Sequence, residues 1–116
     1  MSVDYAFDVV ARSTPLHIAC FIGRTDIVLS LLDHNASINM AKEDGTTPLF
    51  YACEVRHYNI VRILLDKGAN LEMCRLDNKS PLNIATDNRH VDVEEIVTNY
   101  QINQNKHSKV SSVQMY

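Results

Sequence analysis

The chain has no tryptophan, and only three glycines and three prolines in 116 residues. So few breakers exclude a low-complexity linker. Cysteine is equally scarce: Cys20, Cys53 and Cys74 are odd in number and lack zinc-ligand spacing. Free thiols of this kind fit a reducing, intracellular location, and the sequons at Asn35 and Asn78 are read as chance. Long apolar runs are absent. The longest, around Ile18–Ile22, is far below the roughly 20 residues that span a bilayer, so no membrane insertion is expected. Asp4 and Asp8 interrupt the first twelve residues, which therefore do not read as a signal peptide. A basic surplus is also missing, since the formal net charge is −3. Two of the eleven basic residues, Lys106 and Lys109, lie beyond residue 102, so the body carries nine against fourteen acids. Nucleic-acid binding needs clustered Lys and Arg and is not expected. Neither a glycine-rich phosphate loop nor a nucleophile elbow occurs.

What the sequence does contain is a repeat. Thr14-Pro15-Leu16 returns as Thr47-Pro48-Leu49 and again as Ser80-Pro81-Leu82, at intervals of 33 residues. Ala19, Ala52 and Ala85 align in the same register, as do Cys20 and Cys53. Asp26-Ile27-Val28 aligns with Asn59-Ile60-Val61 and Asp92-Val93-Glu94, and Leu31-Leu32-Asp33 with Leu64-Leu65-Asp66.

Each element has a physical reading. A Thr or Ser before Pro starts a helix: the hydroxyl caps an orphan backbone N–H, and proline suits the first helical position because it has none. The first helix is predicted over about residues 15–21, with Ala19 and its equivalents allowing close approach. A break follows at Gly23. The second helix is predicted from about Asp26 to His34, where Ile27, Val28, Leu31 and Leu32 form one apolar stripe. Ile60, Val61, Leu64 and Leu65 repeat it. Gly68 is a good left-handed stop, and Asp44-Gly45 marks a turn between units. A helix pair this short cannot cover its own stripe and must stack on a neighbour, which is the logic of a solenoid.

Thr14-Pro15-Leu16-His17-Ile18-Ala19 resembles the Thr-Pro-Leu-His-x-Ala signature of ankyrin repeats, and the period matches theirs. The resemblance covers residues 13–102. It implies an all-α solenoid of about three helix–turn–helix units (13–45, 46–78 and 79–102) joined by β-hairpin-like loops. Residues 1–12 read as the tail of a partial preceding repeat, and 103–116 as a disordered polar tail. Family partners usually bind a concave face made of loop tips and exposed first-helix positions. Carried over, these positions are Phe21-Ile22, Glu54-Val55 and Asp87-Asn88 on the helices. On the loops they are Val10-Ala11, Glu43-Asp44 and Leu76-Asp77. Across the units this surface passes from apolar to acidic. Phe21 and Ile22 can either meet a partner or pack against residues 1–12 or an upstream repeat.

Departures from the family pattern carry expectations of their own. The signature His, which ties loop to helix in the family, is replaced by Phe50 and Asn83, so units two and three are expected to be looser. Arg56 and Arg89 stand where glycine is usual, which implies either a strained left-handed arginine or a different turn. Glu94 and Thr98 replace the apolar Val61 and Leu65, as in a wettable C-terminal cap. Cys20 and Cys53 read as small core residues, not a redox pair. The histidines have a helix-surface role and no metal site. The expectation is thus a monomeric protein-interaction module with no catalytic residue and no cofactor, whose partner is a protein of unknown identity. The alternative is a structural fragment of a larger ankyrin-repeat protein.

Overall fold

A computed structural model describes the backbone of residues 13–113 and the side chains of residues 13–104. The readings made for residues 1–12, Val10 and Ala11 among them, lie outside the described residues. Among those described there are six helices and no strand: α1 Pro15–Ile22, α2 Thr25–Asp33, α3 Pro48–Glu54, α4 Tyr58–Asp66, α5 Pro81–Asp87 and α6 Val91–Val113.

The three first helices start alike. Thr14, Thr47 and Ser80 are extended, each hydroxyl accepts the backbone N–H three residues on, and Pro15, Pro48 and Pro81 open the helices. They also end alike, in a residue with positive φ: Gly23 at 82°, Arg56 at 63° and Arg89 at 59°. The two arginines therefore do adopt the left-handed conformation. Second helices end likewise at Asn35 (66°) and Gly68 (94°), and the loop turns at Gly45 (90°) and Asn78 (68°). Asparagine tolerates this region better than other side-chain-bearing residues, so one backbone path is kept under changing sequence.

α1 packs on α3 and α3 on α5, while α4 lies between α2 and α6. Ala19, Ala52 and Ala85 are all buried and let the first helices approach. On α4 the stripe of Ile60, Val61, Leu64 and Leu65 is fully buried. On α2 the expected stripe is only partly realised. Val28 is buried, Leu31 and Leu32 are half-buried, and Ile27 is exposed. The reason is position: α4 has a second helix on either side, whereas α2 has one neighbour of that kind among the described residues.

At the third unit, Val93 and Val97 take the buried places on α6, and Tyr100 Oη–H donates to the Leu65 carbonyl at 2.7 Å. Glu94 and Thr98 are half-buried, and the Glu94 carboxylate accepts the Thr86 hydroxyl at 2.8 Å. The backbone then stays helical to Val113, across a segment whose composition suggested a disordered tail. No glycine or proline follows Pro81, so nothing in the local chemistry stops the helix.

The inter-unit loops fold back without forming strands. Lys42 N–H donates to the Thr46 carbonyl and Arg75 N–H to the Lys79 carbonyl, both at 2.9 Å. Leu76 N–H donates to the Asp44 carbonyl at 2.8 Å and joins the two tips.

Candidate binding surface

The loop-to-helix tie differs in every unit. In the first, His17 is buried and does not have the helix-surface role expected of the histidines, because its ring is needed to reach the loop. Its Nδ1 accepts the Thr14 N–H at 3.1 Å, so Nε2 carries the proton and donates to the Thr46 carbonyl at 2.9 Å. Burial holds the His17 pKa below its ordinary value, partly offset by the Thr46 carbonyl, because a charged ring would be desolvated. In the third unit Asn83 replaces the inner half of this arrangement, its Oδ1 accepting the Ser80 N–H at 3.0 Å. In the second, Phe50 is buried and the Arg75 guanidinium lies 4.5 Å from its ring centroid. A cation over an aromatic face is attractive, so a loop residue holds the helix by another interaction. In unit two Arg75 thus supplies a loop contact in place of the histidine, whereas in unit three the Asn83 amide keeps only the bond to its own cap residue.

Histidines also join the units. His57 Nε2–H donates to the Phe21 carbonyl at 3.2 Å, and the His90 ring meets the Cys53 carbonyl through Nδ1 at 3.1 Å. A Cβ on Gly23 would lie 2.6 Å from the His57 ring, so a larger residue there would have to displace the ring from its bond to the Phe21 carbonyl.

These ties present one row of side chains on the first helices and another on the loop tips. On α1, Phe21 is 49% and Ile22 56% exposed. On α3, Glu54 and Val55 are half-buried. At the tips Glu43, Asp44, Leu76 and Asp77 are exposed, Leu76 to 76%. Partial burial would raise the Asp44 pKa, but the Thr46 N–H and hydroxyl, with Lys42 and Arg75 nearby, bring it below the ordinary carboxylate value.

Several of these residues are engaged within the molecule. Asp77 pairs with Arg75 at 2.6 Å, which holds its carboxyl below the usual range. Asp87 pairs with Lys79, and Asn88 Nδ2–H donates to the Glu54 carbonyl at 3.2 Å. The third unit thus spends its first-helix polar groups internally, whereas Phe21, Ile22, Glu43 and Glu54 make no such side-chain ion pair or hydrogen bond among the described residues.

Three participants were missed in the sequence: Ile18, Lys42 and Tyr51. Ile18 is 47% exposed, and the Phe21 and Tyr51 rings meet edge to face at 5.2 Å. Lys42 Nζ–H donates to Tyr51 Oη at 2.5 Å and stands 5.0 Å from the ring centroid. With Ser13 these residues line a shallow open groove of about 200 Å³. Its signal was present: Ile18 and Tyr51 are one period apart and precede Phe21 and Glu54 by three residues, which places each pair on one helix face.

The thiols are quieter. Burial pushes Cys20 and Cys53 up to about 12, so both are protonated at neutral pH and neither is a ready nucleophile. Cys74 is exposed, with its Sγ–H directed at the Glu72 carbonyl. Among the described residues no group of three or more His, Cys, Asp or Glu is placed to hold a metal ion, and no helix is long and apolar enough to cross a membrane.

Stacked helix pairs, a fixed period and a side face built from equivalent positions define a helical-repeat protein. A family model described as ankyrin repeats in three copies matches residues 3–73. The chain belongs to the ankyrin repeat family, whose members generally act as protein–protein interaction modules. α5 and α6 lie beyond the matched residues and continue the same stack. A search of curated proteins gave no match.

Proposed function

We propose that the chain is a non-catalytic, monomeric module that binds a protein partner across the concave face of its first helices and loop tips, in a reducing intracellular compartment. The observation that carries this reading is the exposure of Ile18, Phe21 and Ile22 on α1 and of Leu76 on a loop tip, at or beside the positions that the family uses for binding. Exposed apolar groups of this size gain free energy when a partner covers them, and aromatic residues are the usual anchors of an interface. The three free thiols favour the compartment. Affinity capture followed by mass spectrometry tests the site. Phe21→Ala should weaken partner retention by about 2 kcal/mol, the scale of an anchor residue. Reversing Asp33 and Asp66, which recur on the exposed side of the second helices, should leave it unchanged. The opposite pattern would place the partner on the convex side.

A second reading has its own support. Among the described residues, unit one carries an apolar groove of about 240 Å³ lined by Pro15, Leu16, Leu31, Ala36 and Met40, among others. There a further helix pair of a longer ankyrin protein would continue the stack, and this stretch would be structural. Under that reading Leu31→Glu, and not Phe21→Ala, disrupts the assembly.

A further inference from the structure

The chemistry of the partner can be read from the patch shared by α1 and α3. Ile18 and Phe21 lie one helical turn apart on α1, and Tyr51 and Glu54 one turn apart on α3. The edge-to-face contact of Phe21 with Tyr51 joins the two helix faces, and Ile18 lines the groove with them; Glu54 follows one turn after Tyr51, beside the groove and not in its lining. Three of the four are apolar or aromatic. The fourth is a carboxylate that makes no ion pair among the described residues, although Asp77, Asp87 and Asp92 all have one; the nearby Arg75, whose charge it feels, is already paired with Asp77. Glu43, on the adjoining tip, is exposed and equally free among the described residues. Lys42 is turned toward Tyr51 Oη and closes the opposite side of the groove. At about 200 Å³ the groove suits one bulky side chain and is shallow for a whole metabolite.

We infer that this face recognises a protein segment in which a bulky apolar side chain, seated between Ile18, Phe21 and Tyr51, is followed within a few residues by a lysine or arginine that meets Glu54. The inference rests on the concave-face reading above and adds the partner's chemistry to it. Charge complementarity decides the sign. A basic group beside the anchor gains Glu54 and, one loop away, Glu43. An acidic group there would face both carboxylates, while Lys42, the cation on the groove wall, is already engaged with Tyr51 Oη. Spacing follows from geometry. A cation one turn from the anchor is about two residues away in an extended partner, at roughly 3.3 Å per residue, and three or four residues away in a helical one. A lysine or arginine also crosses the gap with its apolar stem on Tyr51.

The test is selection of displayed random dodecapeptides on the whole chain, followed by affinity measurement for the enriched sequences. Enrichment of an aromatic or large aliphatic residue near Lys or Arg is expected. Phe21→Ala and Glu54→Lys should each weaken those peptides by about ten-fold or more, with melting curves confirming that both variants fold. Replacing the peptide's Lys or Arg by Glu should restore binding to the Glu54→Lys chain, a reversal that a merely structural role for Glu54 would not give. Peptides that need Phe21 but are neutral or acidic, or are indifferent to Glu54→Lys, would overturn the chemistry and leave the concave face standing. Peptides indifferent to Phe21→Ala but lost on reversal of Asp33 and Asp66 would overturn both. Failure to enrich any sequence would overturn recognition of a contiguous segment.

Discussion

Among the described residues, seven with positive φ mark where single side chains decide the backbone, and they fall at three positions of the repeat. Glycine fills the inter-helix position only once; Arg56 and Arg89 fill it elsewhere. A left-handed arginine costs about 1 kcal/mol relative to glycine, part of which glycine returns as extra freedom of the unfolded chain. Arg89→Gly should therefore stabilise the protein by about 0.5–1 kcal/mol, seen as a higher urea midpoint at unchanged slope. Arg56→Gly should gain less, because Arg56 pairs with Asp92 at 3.1 Å, and an exposed pair contributes about 0–1 kcal/mol. His17 gives a second expectation. Its folded pKa lies below the ordinary value, so the unfolded chain binds the proton more readily. Stability from this group is complete above about 6.5, the unfolded pKa, and is lost as pH falls through the folded value. Carboxylates held low, such as Asp77 and Asp92, act further down, below their ordinary values near 4. The melting temperature should thus drop from pH 7.5 to pH 5, and in His17→Phe the drop should shrink, since the substitution removes the titrating ring. An undiminished drop would assign it to other groups.

At the scale of the helix, the same apolar spacing has two outcomes. α2 and α4 carry equivalent stripes, yet among the described residues α4 has a second helix on each side and α2 on one. Leu64 is fully buried on α4. Leu64→Ala should destabilise the chain by about 2–5 kcal/mol through lost transfer energy and the residual cavity. Ile27, 37% exposed on α2, should tolerate alanine at well under half that cost. Comparing the two chemical denaturation curves checks whether position within the stack, and not hydrophobicity alone, sets the contribution. A Leu64→Ala midpoint close to the parent's would show that the α4 stripe is not enclosed.

For the whole molecule, stability is a sum over adjoining units and their interfaces, and roughly three units are needed before the sum is favourable. α5 and α6 supply Ile84, Ala85, Val93 and Val97 to the common core. A chain ending at residue 78 would leave the α3 and α4 faces that meet those residues open to water. It should lose its cooperative unfolding transition in urea and bind a hydrophobic dye, whereas the whole chain should unfold in one step. A sharp transition in the shortened chain would mean that two units suffice.

Sequence alone determined the architecture, because a gapless period of 33 residues writes caps, helices and small-residue contacts three times over. It also located the break at Gly23, the turn at Gly45 and the left-handed stop at Gly68, and all three have positive φ. Phe21, Ile22 and Leu76 were legible as surface candidates through the family resemblance, which implies that these repeat positions face a partner, and all three are exposed. Other assignments depended on partners distant in sequence. Asp87 and Asn88 read as part of the same acidic row, but Lys79 and the Glu54 carbonyl occupy them. Lys42 and Tyr51 are nine residues apart and become one wall of a groove only when the loop folds back on α3. Phe50 read as a loss until Arg75 came to rest on its ring. Periodicity specifies which residues are equivalent, because it follows from local backbone geometry. Which of those equivalents stay free for a partner was decided by tertiary contacts, since ion pairs and aromatic contacts form between whatever side chains the stack brings together.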